Sequence, residues 1–166
     1  MPHPQTYSIQ RPHPVDVVEQ LASVNGWSFE REHDDEICIS VTGGWSDYHI
    51  AFTWLTGIEA LHIGCAFDVK VPERRRAELL SLISLINEQL WVGHFGLFEN
   101  ENSVLFRHAI LLPGSMQPDP AQCEAVIQAA IGACERYYQA IQFVLWAGHK
   151  AREALDTALF ETAGEA

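Results

Sequence analysis

Chemistry needs side chains of the right type at the right spacing, and this chain offers candidates that mostly fail on spacing. Eight histidines are present. His3 and His13 fall in a proline-rich N-terminal stretch, while His33, His49, His62, His94, His108 and His149 are scattered. No H-E-x-x-H, H-x-H or mixed Cys/His spacing of the kind that holds zinc occurs among them. Ser115 follows Gly114 but lacks the G-x-S-x-G frame that exposes a nucleophile, so a hydrolase would have to rest on Ser115 alone. Gly43-Gly44 has neither the lysine nor the strand-to-helix context of a phosphate loop. Glu30, Glu32, Asp34, Asp35 and Glu36 crowd a hairpin tip, with the wrong ligand spacing for calcium. The expectation is a protein without catalytic residues, bound metal or cofactor.

One pairing survives this sieve. The stretch from Leu90 to Pro113, LWVGHFGLFENENSVLFRHAILLP, reads as two strands joined by a tight polar turn at Asn100-Glu101. That register sets Phe95 against Phe106 and Leu97 against Val104 on one face, cross-strand pairs that stabilise a sheet. On the reverse face it sets His94 against Arg107, and it places Gly93 opposite His108. His94 with Arg107 could form an anion or carboxylate site; a half-exposed polar pair on a sheet face is the commoner meaning. A second cluster is basic: Lys70, Arg74, Arg75 and Arg76 lie at a helix start, where the helix dipole disfavours positive charge. It is a candidate contact for an acidic partner, against the plainer reading of a solvated helix face.

These residues must be positioned by a chain of 166 residues carrying a net charge of −12. The length suits one domain. The charge repels phosphate backbones and anionic lipid, so neither nucleic acid nor a membrane is an expected partner. No apolar run reaches the roughly 20 residues that span a bilayer. The first residues, MPHPQTYSIQRPHP, lack the apolar core of an export signal and read as a flexible arm over 1–14, followed by a single domain over 15–166. Cys38, Cys65, Cys123 and Cys134 lie inside apolar patterns without a C-x-x-C, which suits reduced, buried thiols in a cytoplasmic protein.

Val15, Val18, Leu21 and Ala22 share one face of a first helix ended by Asn25-Gly26. Strands are expected over 27–31 and 37–41, with a bulged connection that keeps Trp27 and Phe29 on the face of Ile39 and Val41. A third strand runs over 45–54 and a fourth over 58–69, the fourth with small, weakly polar outward residues that a second layer or a partner could cover. A helix follows over 73–90. After the hairpin, Asp119 and Pro120 start a long helix to about Ala147. Along it Ile127, Ile131, Cys134, Tyr138, Ile141 and Leu145 form a heptad stripe, more often core than dimer seam. Phe143 and Trp146 exceed what one face needs and point to self-association. Gly148 breaks the helix, and a shorter one covers 150–160.

Three stretches carry a resemblance: Phe67 to Phe98, Leu105 to Gly114, and Cys134 to the C-terminus. Together they resemble the YbjN family of bacterial sensory-transduction regulators. Asn87, Gly93, His94, Phe95, Arg107 and Trp146 match its pattern. Gln139 stands where the family often has proline, and Ala147 where it has a second glycine, so the long helix should be straighter here. The resemblance implies an α+β fold in the order α-β4-α-β2-α, an antiparallel sheet of about six strands with helices packed on it. Such a fold is similar to that of type III secretion chaperones, small acidic dimers that bind other proteins. It implies no catalytic residues.

The functional expectation is therefore a non-enzymatic interaction module, regulatory or chaperone-like and homodimeric, whose protein partner meets His94, Arg107, Phe98, Trp146, Arg74, Arg75 and Arg76. The alternative is a small-molecule or metal-binding sensor that uses the sheet face around His94, His62 and Arg107.

Overall fold

The computed structural model describes residues 12–164. The first helix, α1 (Pro14–Asn25), starts where His13 closes a capping box, its Nδ1 accepting from the Val15 amide while Asp16 accepts from the His13 amide. It stops at Gly26, whose φ of 68° lies in the left-handed region that glycine adopts without strain. The expected arm falls largely on residues 1–11, outside the described residues. His13 and Pro14, its last two members, are built into the fold: Pro14 is buried, and His13 Nε2 lies 2.8 Å from the Asp35 carboxylate.

Four strands follow: β1 (Ser28–His33), β2 (Glu36–Thr42), β3 (Asp47–Leu55) and β4 (Ala60–Ala66). The bulge expected in the first connection sits within β1, between Glu30 and His33, and it brings Phe29 opposite Ile39. The fourth strand is shorter than its alternation suggested. Thr56–Ile58 forms a 3-10 turn, and beyond Ala66 only the bond from the Phe67 amide to the Val104 carbonyl extends the ladder. The 73–90 segment opens with a 3-10 turn at Glu73–Arg75, and its helix, α2, runs Arg76–Asn87. Leu90 therefore lies past the helix end.

The hairpin has the expected register: in β5 (His94–Phe98) and β6 (Ser103–Leu111), Phe95 faces Phe106, Leu97 faces Val104 and His94 faces Arg107. All six strands form one antiparallel sheet in the order β1-β2-β3-β4-β6-β5, so β6 inserts between β4 and β5.

Asp119 caps α3 (Pro120–Leu145), accepting from the Ala121 amide, and the helix is unbroken over 26 residues, as glutamine at position 139 permits. It ends two residues before the expected Ala147. Gly148, with φ of 71°, turns the chain into α4 (Ala151–Gly164), one helix more than the family order implies. Ile127, Cys134, Ile141 and Leu145 of the heptad stripe are buried in the core, so the stripe is core rather than an exposed seam.

A single apolar core joins the inward strand residues, among them Ile39, Ile50, Phe52, Ile63 and Phe106, to the buried faces of the helices. The helices α1, α2 and α3 contact the sheet, and α4 packs on α3 and α2. The alternating residues on the sheet's other face, including His49, His62, His94 and Arg107, take no part in that core. One side of the sheet is thus left open among the described residues, a common state for antiparallel sheets.

Candidate interaction site on the open sheet face

The insertion of β6 beside β4 places His62 next to Arg107, 45 residues apart in sequence. The Arg107 Nε donates to His62 Nε2 at 2.9 Å, and the guanidinium carbon stands 5.1 Å from the centre of the Phe98 ring. That stacking adds a cation–π attraction and fixes the plane of the fork. His94 is the cross-strand partner of Arg107 on the same face. Four of the residues singled out from sequence thus converge: His94, Arg107 and Phe98 from the expected partner contacts, and His62, which the sensor alternative placed on the same face.

For the bond to form, His62 Nε2 must keep its lone pair. Burial, then the charge of Arg107 and the neighbouring His94, hold the His62 imidazole below its ordinary range, which favours that neutral form. His108 is lowered too, by burial and then by His94. Among the described residues Arg107 carries no ion pair. The surrounding groove, about 380 Å³, is lined by His62, Trp91, Gly93, His94, Arg107, His108 and Ala109, with no carboxylate among them. Trp91 is fully exposed.

Two residues set this geometry from behind. Gly93 has φ of 70°, and a Cβ there would come within 2.6 Å of Phe106 Cε2 and 2.9 Å of the Arg107 carbonyl oxygen. The approach of the chain to β6 thus requires glycine. Asn87, at the end of α2, then clamps β5: its Nδ2 donates to the Phe95 carbonyl at 2.9 Å and its Oδ1 accepts from the Phe95 amide at 2.8 Å. The side chain stands in for a neighbouring strand on an otherwise bare edge.

The remaining singled-out residues lie elsewhere. Arg75 belongs to the fold: its Nε donates to the Val144 carbonyl (2.7 Å) and its Nη2 to the His149 carbonyl (2.6 Å), closing the end of α3. Arg76 pairs with Glu99 at 2.9 Å, and Arg74 and Lys70 are exposed. The four bases therefore do not make one free patch. Trp146, at the C-cap of α3, is 65% exposed, whereas Phe143 is covered by the His149 ring 5.2 Å away. Ser115 is exposed in the turn Pro113–Ser115.

Gly43-Gly44 does hold an anion, but it is the chain's own: the Glu135 carboxylate accepts from the Gly44 amide at 2.7 Å. Burial, reinforced by Glu135, pushes the phenol of the adjacent Tyr48 up. Among the described residues no group of three or more His, Cys, Asp or Glu is placed to hold a metal, and no helix is long and apolar enough to cross a membrane. Cys38 is half-buried and the other three thiols are buried and free.

An antiparallel six-stranded sheet covered by helices on one side is an α+β architecture consistent with a type III secretion chaperone-like fold. The chain belongs to the YbjN family, "putative bacterial sensory transduction regulator", whose model matches residues 14–143. Its fold is similar to that of YbjN from E. coli, with 12% identity, a TM-score of 0.55, and coverage of 81% of this chain and 90% of that one. It is similar too to a chain of the ExsC–ExsE complex, with 18% identity, a TM-score of 0.50, and coverage of 74% of this chain and 88% of that one. At these identities the likeness is one of fold. No curated protein matches the chain significantly.

Proposed function

We propose that this chain is a non-enzymatic protein-interaction module with a regulatory or chaperone-like role, docking a protein partner on the open sheet face at His94, Arg107 and Phe98. One observation carries the reading. In a chain of net charge −12, Arg107 is half-buried, aimed by His62 and Phe98, and pairs with no carboxylate among the described residues. A guanidinium oriented by hydrogen bond and ring is preorganised for a planar acceptor on another molecule. The family description and the two-protein ExsC–ExsE complex support the same reading.

Arg74 and Trp146, exposed on the helical side, are assigned a secondary contact; Arg75 and Arg76 are left out of it because the fold already engages them. A cytoplasmic homodimer is the assembly this reading favours, with Trp146 and Phe160, 65% and 81% exposed, as apolar contacts. Affinity capture from the native cytosol with the wild-type chain and Arg107→Glu tests the docking face. A partner retained by the wild type and lost by the variant supports the reading; a partner retained equally by both refutes this site. Sedimentation of the wild type against Trp146→Ala tests the dimer, and a strict monomer contradicts it.

A further inference from the structure

Backbone hydrogen bonds alternate along a strand, successive residues pointing their N–H and C=O to opposite neighbours. In β6 the Val104 carbonyl accepts from Phe67, and the Leu112 amide donates to the Glu59 carbonyl, both on the β4 side. The even-numbered residues from 104 to 112 therefore turn toward β4, and Ser103, Leu105, Arg107, Ala109 and Leu111 turn toward β5. The partner strand β5 reaches only as far as His94 opposite Arg107. Ala109 and Leu111, both exposed, are left with N–H and C=O aimed at a position where no strand lies among the described residues.

The fold blunts its other edges. Asn87 plugs the outer edge of β5 at Phe95, and β1 is short, bulged and carries Glu30, Arg31 and Glu32. At Ala109 and Leu111 no such device occurs among the described residues. Instead the edge is apolar: Leu111 is 69% exposed, and Trp91, wholly exposed, lines the same groove as Ala109.

The direction of an added strand follows from the charges. A strand antiparallel to β6 in this position runs the same way as β5 and lies in line with it. Its C-terminal end then meets His94 and Arg107, in the groove whose lining among the described residues includes no carboxylate. The opposite direction would bring an N-terminal ammonium to that cation. We propose that Ala109 and Leu111 of β6 accept an extended peptide antiparallel to them, whose free C-terminal carboxylate is bound by Arg107. The proposal rests on the reading of the open face as a docking surface and adds the partner's conformation, direction and terminal group. Strand addition supplies main-chain bonds, Leu111 and Trp91 receive an apolar side chain, and the guanidinium takes the carboxylate.

The test uses the full chain and immobilised random hexapeptides with free C-termini, alongside the same set amidated. A subset of free-carboxylate peptides is expected to retain the protein, at least tenfold more weakly when amidated or with Arg107→Gln. Ala109→Pro removes the outward N–H without touching the β4 ladder and should abolish retention. On the wild type, the selected peptide should slow hydrogen exchange at the Ala109 and Leu111 amides, a readout that stands even if the proline variant does not fold. Retention indifferent to amidation, no retained peptide, or unchanged exchange at those two amides overturns the proposal. An Ala109→Pro-sensitive dimer also overturns it, by making a second copy the occupant. If Ala109→Pro still captures a cytosolic partner that Arg107→Glu loses, the docking reading stands and strand addition fails.

Discussion

Replacing Gly93 by alanine should destabilise the protein far more than the same change at Gly26, although both glycines sit at nearly the same dihedral, φ of 70° and 68°. The left-handed backbone costs a residue with a Cβ about 1–2 kcal/mol at either position. At Gly26 nothing lies within 4 Å of the added carbon. At Gly93 it overlaps the Phe106 ring and crowds the Arg107 carbonyl at 2.9 Å, and overpacking of this kind costs a further ~1–3 kcal/mol. The expected losses are thus ~2–5 kcal/mol for Gly93→Ala against ~1–2 for Gly26→Ala. For a domain of this length each kcal/mol moves Tm by roughly 2–4 °C, so the variants should melt about 4–20 °C and about 2–8 °C below wild type. Differential scanning calorimetry measures both. The Phe95 amide, held by Asn87, should also exchange faster in Gly93→Ala and not in Gly26→Ala. Equal melting shifts with unchanged Phe95 exchange would refute the claim that close approach, rather than dihedral preference, makes glycine necessary at position 93.

The other predictions follow from single contacts. Arg75→Ala should cost ~2–3 kcal/mol in urea unfolding, since it removes two charge-assisted bonds to half-buried carbonyls at the end of α3, whereas Arg74→Ala should stay within about 0.5. Asn87→Ala should cost ~2–3 kcal/mol, because it strips two bonds and strands the Phe95 amide and carbonyl. The pH dependence has a definite sign: His62 binds its proton less readily folded than unfolded, so its contribution is complete above about pH 6.5 and is lost as pH falls through the lowered folded value. Stability between pH 7.5 and 5.5 should therefore fall more steeply for the wild type than for His62→Gln, with His108 supplying the slope that remains.

Local pattern made most of the fold legible. Strict alternation around a short polar turn fixed the register of β5 and β6, so the facing of His94 and Arg107 could be read from sequence. Asn25-Gly26 marked the end of α1, and Asp119 with Pro120 marked the start of α3, whereas the His13 capping box of α1 was not read. What depended on distant segments was hidden. Nothing in the hairpin says that β6 pairs with β4, so the bond from Arg107 to His62, though both were read onto one sheet face, and the edge at Ala109 and Leu111 with no strand opposite it among the described residues were not legible. Arg75 looked like part of a basic patch because its acceptors, 69 and 74 residues away, belong to a helix end that forms only on packing. The fourth strand was read too long because Val69, past the last ladder bond at Phe67, continues the alternation outside the sheet, and Ile58 at its start lies in a 3-10 turn. Gly43-Gly44 lacked the marks of an anion loop because its anion is Glu135, supplied from α3.

The central claim is that another protein docks on the open sheet face. A photo-crosslinking residue placed at Ala109, with a second variant carrying it at Val24 (79% exposed on α1), tests this most directly in the native cytosol. A discrete protein adduct is expected from position 109, disappearing with Arg107→Glu, and none from position 24. Adducts from position 24 alone, or adducts from position 109 that persist when Arg107 is reversed in charge, would contradict the claim.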